Sequence, residues 1–129
     1  MKNFRGILLQ IMDVIDIHPW KEGEIEDFLV ITELEAMFDL IEALPKEKQG
    51  PMIDQMKSIL NMENAPWDIE RMFARYYTRA QMQEAVITRT KKSIAKDVVE
   101  PHRKALSLDQ QESIRALLNK LTYLEGRDW

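Results

Sequence analysis

The chain predicts an all-α fold: a five-helix bundle with one long helix over about 66–99 and short connections. Three observations carry this. Apolar residues recur at three- and four-residue spacing in every segment, and no segment alternates as a half-buried strand would. Pro and Gly are few, 5 and 4 in 129 residues, and most of them fall at segment ends. Apolar residues make up 45% and charged residues 31%, enough to fill one core and still cover it with a water-facing surface. The length suits a single helical domain, 1–129, and there is no internal repeat, low-complexity tract or evident linker.

The first helix is expected over about 3–17. Phe4, Ile7, Leu8, Ile11 and Ile15 share a face, with Arg5, Asp13 and Asp16 off it. His18-Pro19 stops it, because the residue before proline is driven out of the helical region. The second is expected over about 23–44. Val30, Ile31, Leu34, Met37, Phe38 and Ile41 read as its core stripe, and Glu22, Glu24, Glu26 and Asp27 crowd its first turns, where the helix dipole favours negative charge.

A third helix is expected to start at Pro51, whose missing N–H suits the first helical position, and to run to about 62. Met52, Ile53, Met56, Ile59 and Leu60 can point inward. The fourth is the long one. Ile69, Phe73, Tyr76, Ala80, Ile87, Ile94 and Val98 fall on one face, and a straight helix of that length spans roughly 50 Å at 1.5 Å per residue. It must therefore protrude, bend, or break near Thr88-Arg89-Thr90, where two β-branched residues weaken helix propensity. The fifth is expected over about 108–125. Ser107 and Gln110 form a capping-box signature at its start, and Ile114, Leu117, Leu118, Leu121 and Leu124 face the core.

Charge is distributed unevenly over this frame. Residues 1–70 carry 15 acidic and 6 basic side chains, a net of −9, whereas residues 71–129 carry 7 and 12, a net of +5. On the wheel of a continuous fourth helix, with Arg71 at 0°, Arg89 and Lys96 lie within about 20°, Arg75 at about 40°, Lys92 at about 60° on the other side, and Arg79 at the edge. This basic ridge points away from the helix's own apolar face. Glu24, Glu35, Asp39 and Glu42 line an edge of the second helix, beside its expected core stripe. If both helices pack on one core, these acids do not reach the ridge, and it stays available to a partner.

Two partners suit such a ridge, and the third reading is a solvated face. An acidic protein surface, including that of a second copy in a homodimer, is favoured over nucleic-acid phosphates. The whole chain is acidic, with a net charge of −4, and Phe73 and Tyr76 lie on the apolar side rather than beside the cations. The seam Ile69, Phe73, Tyr76, Ala80, Gln83, Ile87, Thr90, Ile94 has a heptad rhythm consistent with self-association. The expected function is therefore a non-enzymatic interaction, regulatory or adaptor protein that docks an acidic partner through Arg71, Arg75, Arg79, Arg89, Lys92 and Lys96. A nucleic-acid-associated protein using the same face is the alternative.

Enzymatic chemistry has no support. With no cysteine there are no disulfides or thiolate ligands, which fits a reducing, cytoplasmic setting. His18 and His102 are not at metal-ligand spacing, and no Gly-rich phosphate loop or nucleophile elbow is present. Glu24-x-x-Asp27 and Asp39-x-x-Glu42 are carboxylate pairs of a kind that can hold magnesium when they converge. On one helix, however, they stand roughly 22 Å apart. No cofactor and no metal are expected. The basic start and apolar run at 2–12 lack a cleavage site, and no stretch approaches the roughly 20 apolar residues of a membrane span. Met37, Met52, Met56, Met62 and Met72 read as core filler or as an adaptable groove. Trp129 reads as an exposed contact residue.

Overall fold

The computed structural model describes residues 3–59 and 65–123, the side chains at 65–68 excepted. Every regular element in it is helical: α1 Phe4–Ile15, α2 Glu22–Glu42, α3 Lys46–Ile59, α4 Ala65–Phe73, α5 Arg79–Ser93, a π-helical segment Ile94–Val99, a 3₁₀ segment Glu100–Ala105, and α6 Leu108–Leu118. The all-α class is as expected. Expectations for Leu60, Met62, Leu124, Trp129 and the end of the fifth segment lie outside the described residues.

Helix α1 buries the face its spacing predicts. Phe4, Ile7, Leu8, Ile11, Met12 and Ile15 are all buried. It ends earlier than Pro19 requires. Asp16 takes a left-handed conformation (φ 65°), and the Ile17 N–H reaches back to the Met12 carbonyl, closing the last turn. Helix α6 lies against α1. The Gln110 side chain donates to the Val14 carbonyl at 3.0 Å, and Asn3 clasps the far end through the Lys120 carbonyl (2.6 Å) and the Thr122 N–H (2.9 Å). The expected Ser107–Gln110 capping box is present.

The long fourth helix is where sequence and structure part. It is not one helix. The chain breaks at 74–78, not at 88–90, where α5 runs uninterrupted and the Thr90 hydroxyl donates to the Val86 carbonyl at 2.6 Å. The cause is local and tertiary together. Thr78 caps α5 by accepting from the Gln81 N–H (3.1 Å), while the Gln81 side chain accepts from the Thr78 N–H (2.8 Å). Tyr77 then pins the turn by donating its hydroxyl to the Leu40 carbonyl of α2 at 2.6 Å. The heptad seam is cut accordingly. Tyr76 and Ala80 are exposed, and on α5 the seam position Thr90 is buried together with Met82, Val86 and Ser93, which lie off the seam.

Helix α3 also departs from expectation. It starts at Lys46, so Pro51 sits inside it rather than at its first position. One backbone bond is lost there. The earlier start is supported by Gln49, whose amide donates to the Glu42 and Leu44 carbonyls at the end of α2 (3.2 and 2.9 Å).

The largest correction concerns α2. Half of its expected core stripe is turned outward: Val30 is 52% exposed, Ile31 55% and Phe38 37%, whereas Leu34 and Met37 are half-buried against the core and Ile41 is buried as expected. The buried residues are Ile25, Thr32, Ala36, Leu40 and Ile41. The helix is apolar on two sides, so periodicity alone does not say which side faces in. Small side chains decide it. Thr32 and Ala36 on α2, and Thr90 and Ser93 on α5, are buried and let the two helices pack along their length.

Two apolar clusters result. One is aliphatic and joins α1, the first half of α2, the second half of α5, the π segment and α6 around Leu8, Ile11, Ile25, Val86, Ile94 and Ile114. The other is rich in methionine and joins the end of α2 with α3, α4 and the start of α5 around Leu40, Ile41, Met52, Met56, Met72 and Phe73. Met37 touches both.

Candidate functional site

Breaking the fourth helix divides the basic ridge. Arg71 lies in the last turn of α4, Arg75 in the following turn, Arg79 at the start of α5, Arg89 near its end, Lys92 a turn later and Lys96 in the π segment. The six no longer share one helical face, and the structure assigns them different surroundings.

Arg89 is committed inside the molecule. It donates in bidentate fashion to both oxygens of Asp39, with Nε at 2.7 Å from Oδ2, and its Nη1 lies 3.6 Å from Glu35. Its side chain is only 21% exposed. The Asp39 hydrogen bonds, reinforced by the nearby carboxylates of α2, push its pKa further above the ordinary guanidinium value. The expectation that acids of α2 cannot reach the ridge is therefore overturned. The physical reason is the rotation of α2. Turning Ile25, Thr32 and Ala36 inward swings Asp39 and Glu35 toward α5, and the buried side of α5 is bordered by Arg89.

Arg79 also has a partner, Glu70, at 3.3 Å. Arg71, Arg75, Lys92 and Lys96 are exposed, and among the described residues none of them has a carboxylate in ion-pair range. Of these, Arg71 and Arg75 are brought together. They border an open concavity of about 370 Å³ between α3 and α4, lined also by Gln55, Ser58, Ile59 and Met72. Four residues apart on adjoining turns, the two guanidiniums face the same opening. Its floor rests on the methionine-rich cluster through Met72 and Ile59. In the turn after α4, the Tyr76 ring takes the Lys48 ammonium of α3 at 5.0 Å from its centre.

Of the methionines named from sequence, the described ones belong to the core, Met37 being half-buried between the two clusters. Met52, Met56 and Met72 are buried, and Met82, which the sequence reading passed over, joins them. His18 is exposed and His102 half-buried. Among the described residues no three metal-ligating side chains converge, and no helix is long and apolar enough to cross a membrane. Sequence reasoning missed the Thr78-Arg79-Ala80-Gln81 capping box, although it is the same signature read correctly at Ser107. It also missed the α2–α5 ion pair, for which no local signal exists because its partners are 50 residues apart.

The chain matches no protein-family model, no curated protein and no solved structure.

Proposed function

We propose that this chain is a non-enzymatic interaction or adaptor protein that docks an acidic surface of a protein partner through Arg71 and Arg75. Of the other cations of the set, Arg79 is paired with Glu70, Lys92 and Lys96 lie at the far end of α5 and on the π segment, and Arg89 is withdrawn because it holds α2 to α5. The observation that carries the reading is the concavity between α3 and α4, bordered by two arginines with no carboxylate of the described residues in ion-pair range. Arginine suits this role, since its planar fork meets carboxylates in bidentate fashion and sheds water readily. Homodimer formation is the form of this reading in which the acidic surface belongs to a second copy. A chain without cysteine is at home in the reducing cytoplasm, which fits an intracellular adaptor.

The test is a fluorescence anisotropy titration with a labelled Glu-rich helical peptide, run beside labelled single-stranded RNA and duplex DNA. Arg71→Glu/Arg75→Glu is expected to weaken the acidic peptide by about tenfold or more, as reversal of a central charge pair does. Equal peptide binding by wild type and the double reversal would sink the proposal. Tighter binding to nucleic acid, falling steeply with salt, would replace it by a phosphate-binding role.

A further inference from the structure

Helix α2 presents a second surface of opposite character, independent of the Arg71–Arg75 concavity. Ile31, Leu34 and Phe38 stand at i, i+3 and i+7, with Val30 beside them, and form a stripe along its outer side. Val30, Ile31 and Phe38 are among the few large apolar residues left exposed, and Leu34 between them is half-buried, part of it packed on the methionine-rich cluster and the rest open to the stripe. Scattered exposed apolar residues need no explanation, but a stripe at helical spacing along one face is the pattern of a helix-binding surface.

The charge around the stripe says what covers it. The 21 residues of α2 contain eight carboxylates and no Lys or Arg. Asp39 and Glu35 are turned toward Arg89, and Glu22 toward Arg5 on α1. Glu24, Asp27 and Glu42 are exposed and belong to the same side as the stripe: on the helical wheel they fall within about 60° of its centre. A second copy placed face to face would oppose these carboxylates with their own equivalents, and like charges across an interface are costly. A helix with an apolar face and flanking lysines or arginines meets both requirements at once, filling the stripe and neutralising its border.

We infer that the outer face of α2, centred on Ile31, Leu34 and Phe38 and bordered by Glu24, Asp27 and Glu42, docks a cationic amphipathic helix of a protein partner. The apolar anchors supply most of the affinity, with Phe38 the largest contact. The carboxylates select the sign of the partner and hasten its approach, an effect that weakens with salt.

A labelled synthetic Leu/Lys peptide of about 14 residues, with Leu at i, i+3, i+4 and i+7, is long enough to fold on the surface and serves as the probe. Two comparators are needed: the same composition shuffled to abolish the face, and the same pattern with Glu in place of Lys. The patterned Leu/Lys peptide is expected to bind at least about tenfold tighter than either comparator. Ile31→Asp/Phe38→Asp should lose at least about tenfold, while circular dichroism confirms an unchanged helical fold. Glu24→Gln/Asp27→Gln/Glu42→Gln should lose several-fold and flatten the salt dependence. Equal binding of the Leu/Glu peptide, or no loss in Ile31→Asp/Phe38→Asp, would overturn the inference. Sedimentation of the wild type as a dimer that the same double variant converts to a monomer would also overturn it, assigning the face to a second copy. Because Arg71 and Arg75 take no part, failure here leaves the concavity reading untouched, and the reverse holds as well.

Discussion

Helices α1 and α2 are both rich in apolar residues, yet they relate to the fold in opposite ways. On α1 the apolar residues form one face, and all of Phe4, Ile7, Leu8, Ile11 and Ile15 are buried. Helix α2 carries two apolar stripes. It buries the one built around Ile25, Thr32 and Ala36 and exposes the one built around Ile31 and Phe38. The difference teaches that apolar periodicity identifies a helix and, where only one face is apolar, its orientation. Where two faces qualify, the choice is made by what the neighbour can accommodate. Here the neighbour is α5, which offers small residues and one arginine.

The comparison can be broken most forcefully on α1. Leu8 is fully buried in the aliphatic cluster, so Leu8→Ala should destabilise the chain by about 2–5 kcal/mol, read as a drop in the urea midpoint. A loss below about 1 kcal/mol would show that α1 is not the core helix described.

The next effect belongs to the bond that fixes the rotation of α2. Arg89→Ala should cost about 1–2 kcal/mol. That is less than the ~3–5 kcal/mol of breaking a fully buried pair, because the guanidinium keeps partial access to water. A double-mutant cycle with Asp39→Ala should return a coupling of at least about 0.5 kcal/mol. Strict additivity would mean that the ion pair does not hold the helices in register.

The smallest effect sharpens the contrast. Ile31→Ser replaces a β-branched apolar residue on the outward stripe and should change stability by no more than about 1 kcal/mol, since more than half of it is exposed. An Ile31→Ser loss approaching that of Leu8→Ala would mean that the outward stripe is covered in solution. In that case the midpoint should also depend on protein concentration.

The clusters extend the same lesson to the two ends of the molecule. One is built largely of Ile, Leu and Val, whose rotamers are few, and it clasps α1 to α6 with side-chain bonds from Asn3 and Gln110. The other relies on Met52, Met56, Met72 and Met82, which adapt their shape readily. The Arg71–Arg75 concavity sits over the adaptable end.

By itself the sequence determined the all-α class, the buried face of α1, the start of α6 at its Ser107 capping box and the presence of an acidic and a basic half. These follow from local periodicity, caps and composition, which act within a turn or two of chain. It also contained the break at 74–78, written in Thr78 and Gln81, but the strong heptad rhythm on either side masked a two-residue signal. Only the tertiary structure decided which face of α2 points inward, and with it which charges meet. The reason is physical. Two apolar faces of one helix have similar transfer free energies, so the choice falls to packing against α5 and to an ion pair between residues 50 apart, neither of which is encoded in any single segment. That choice withdrew Arg89 from the surface, left Arg71 and Arg75 facing one opening, and turned the acid-bordered stripe of α2 outward.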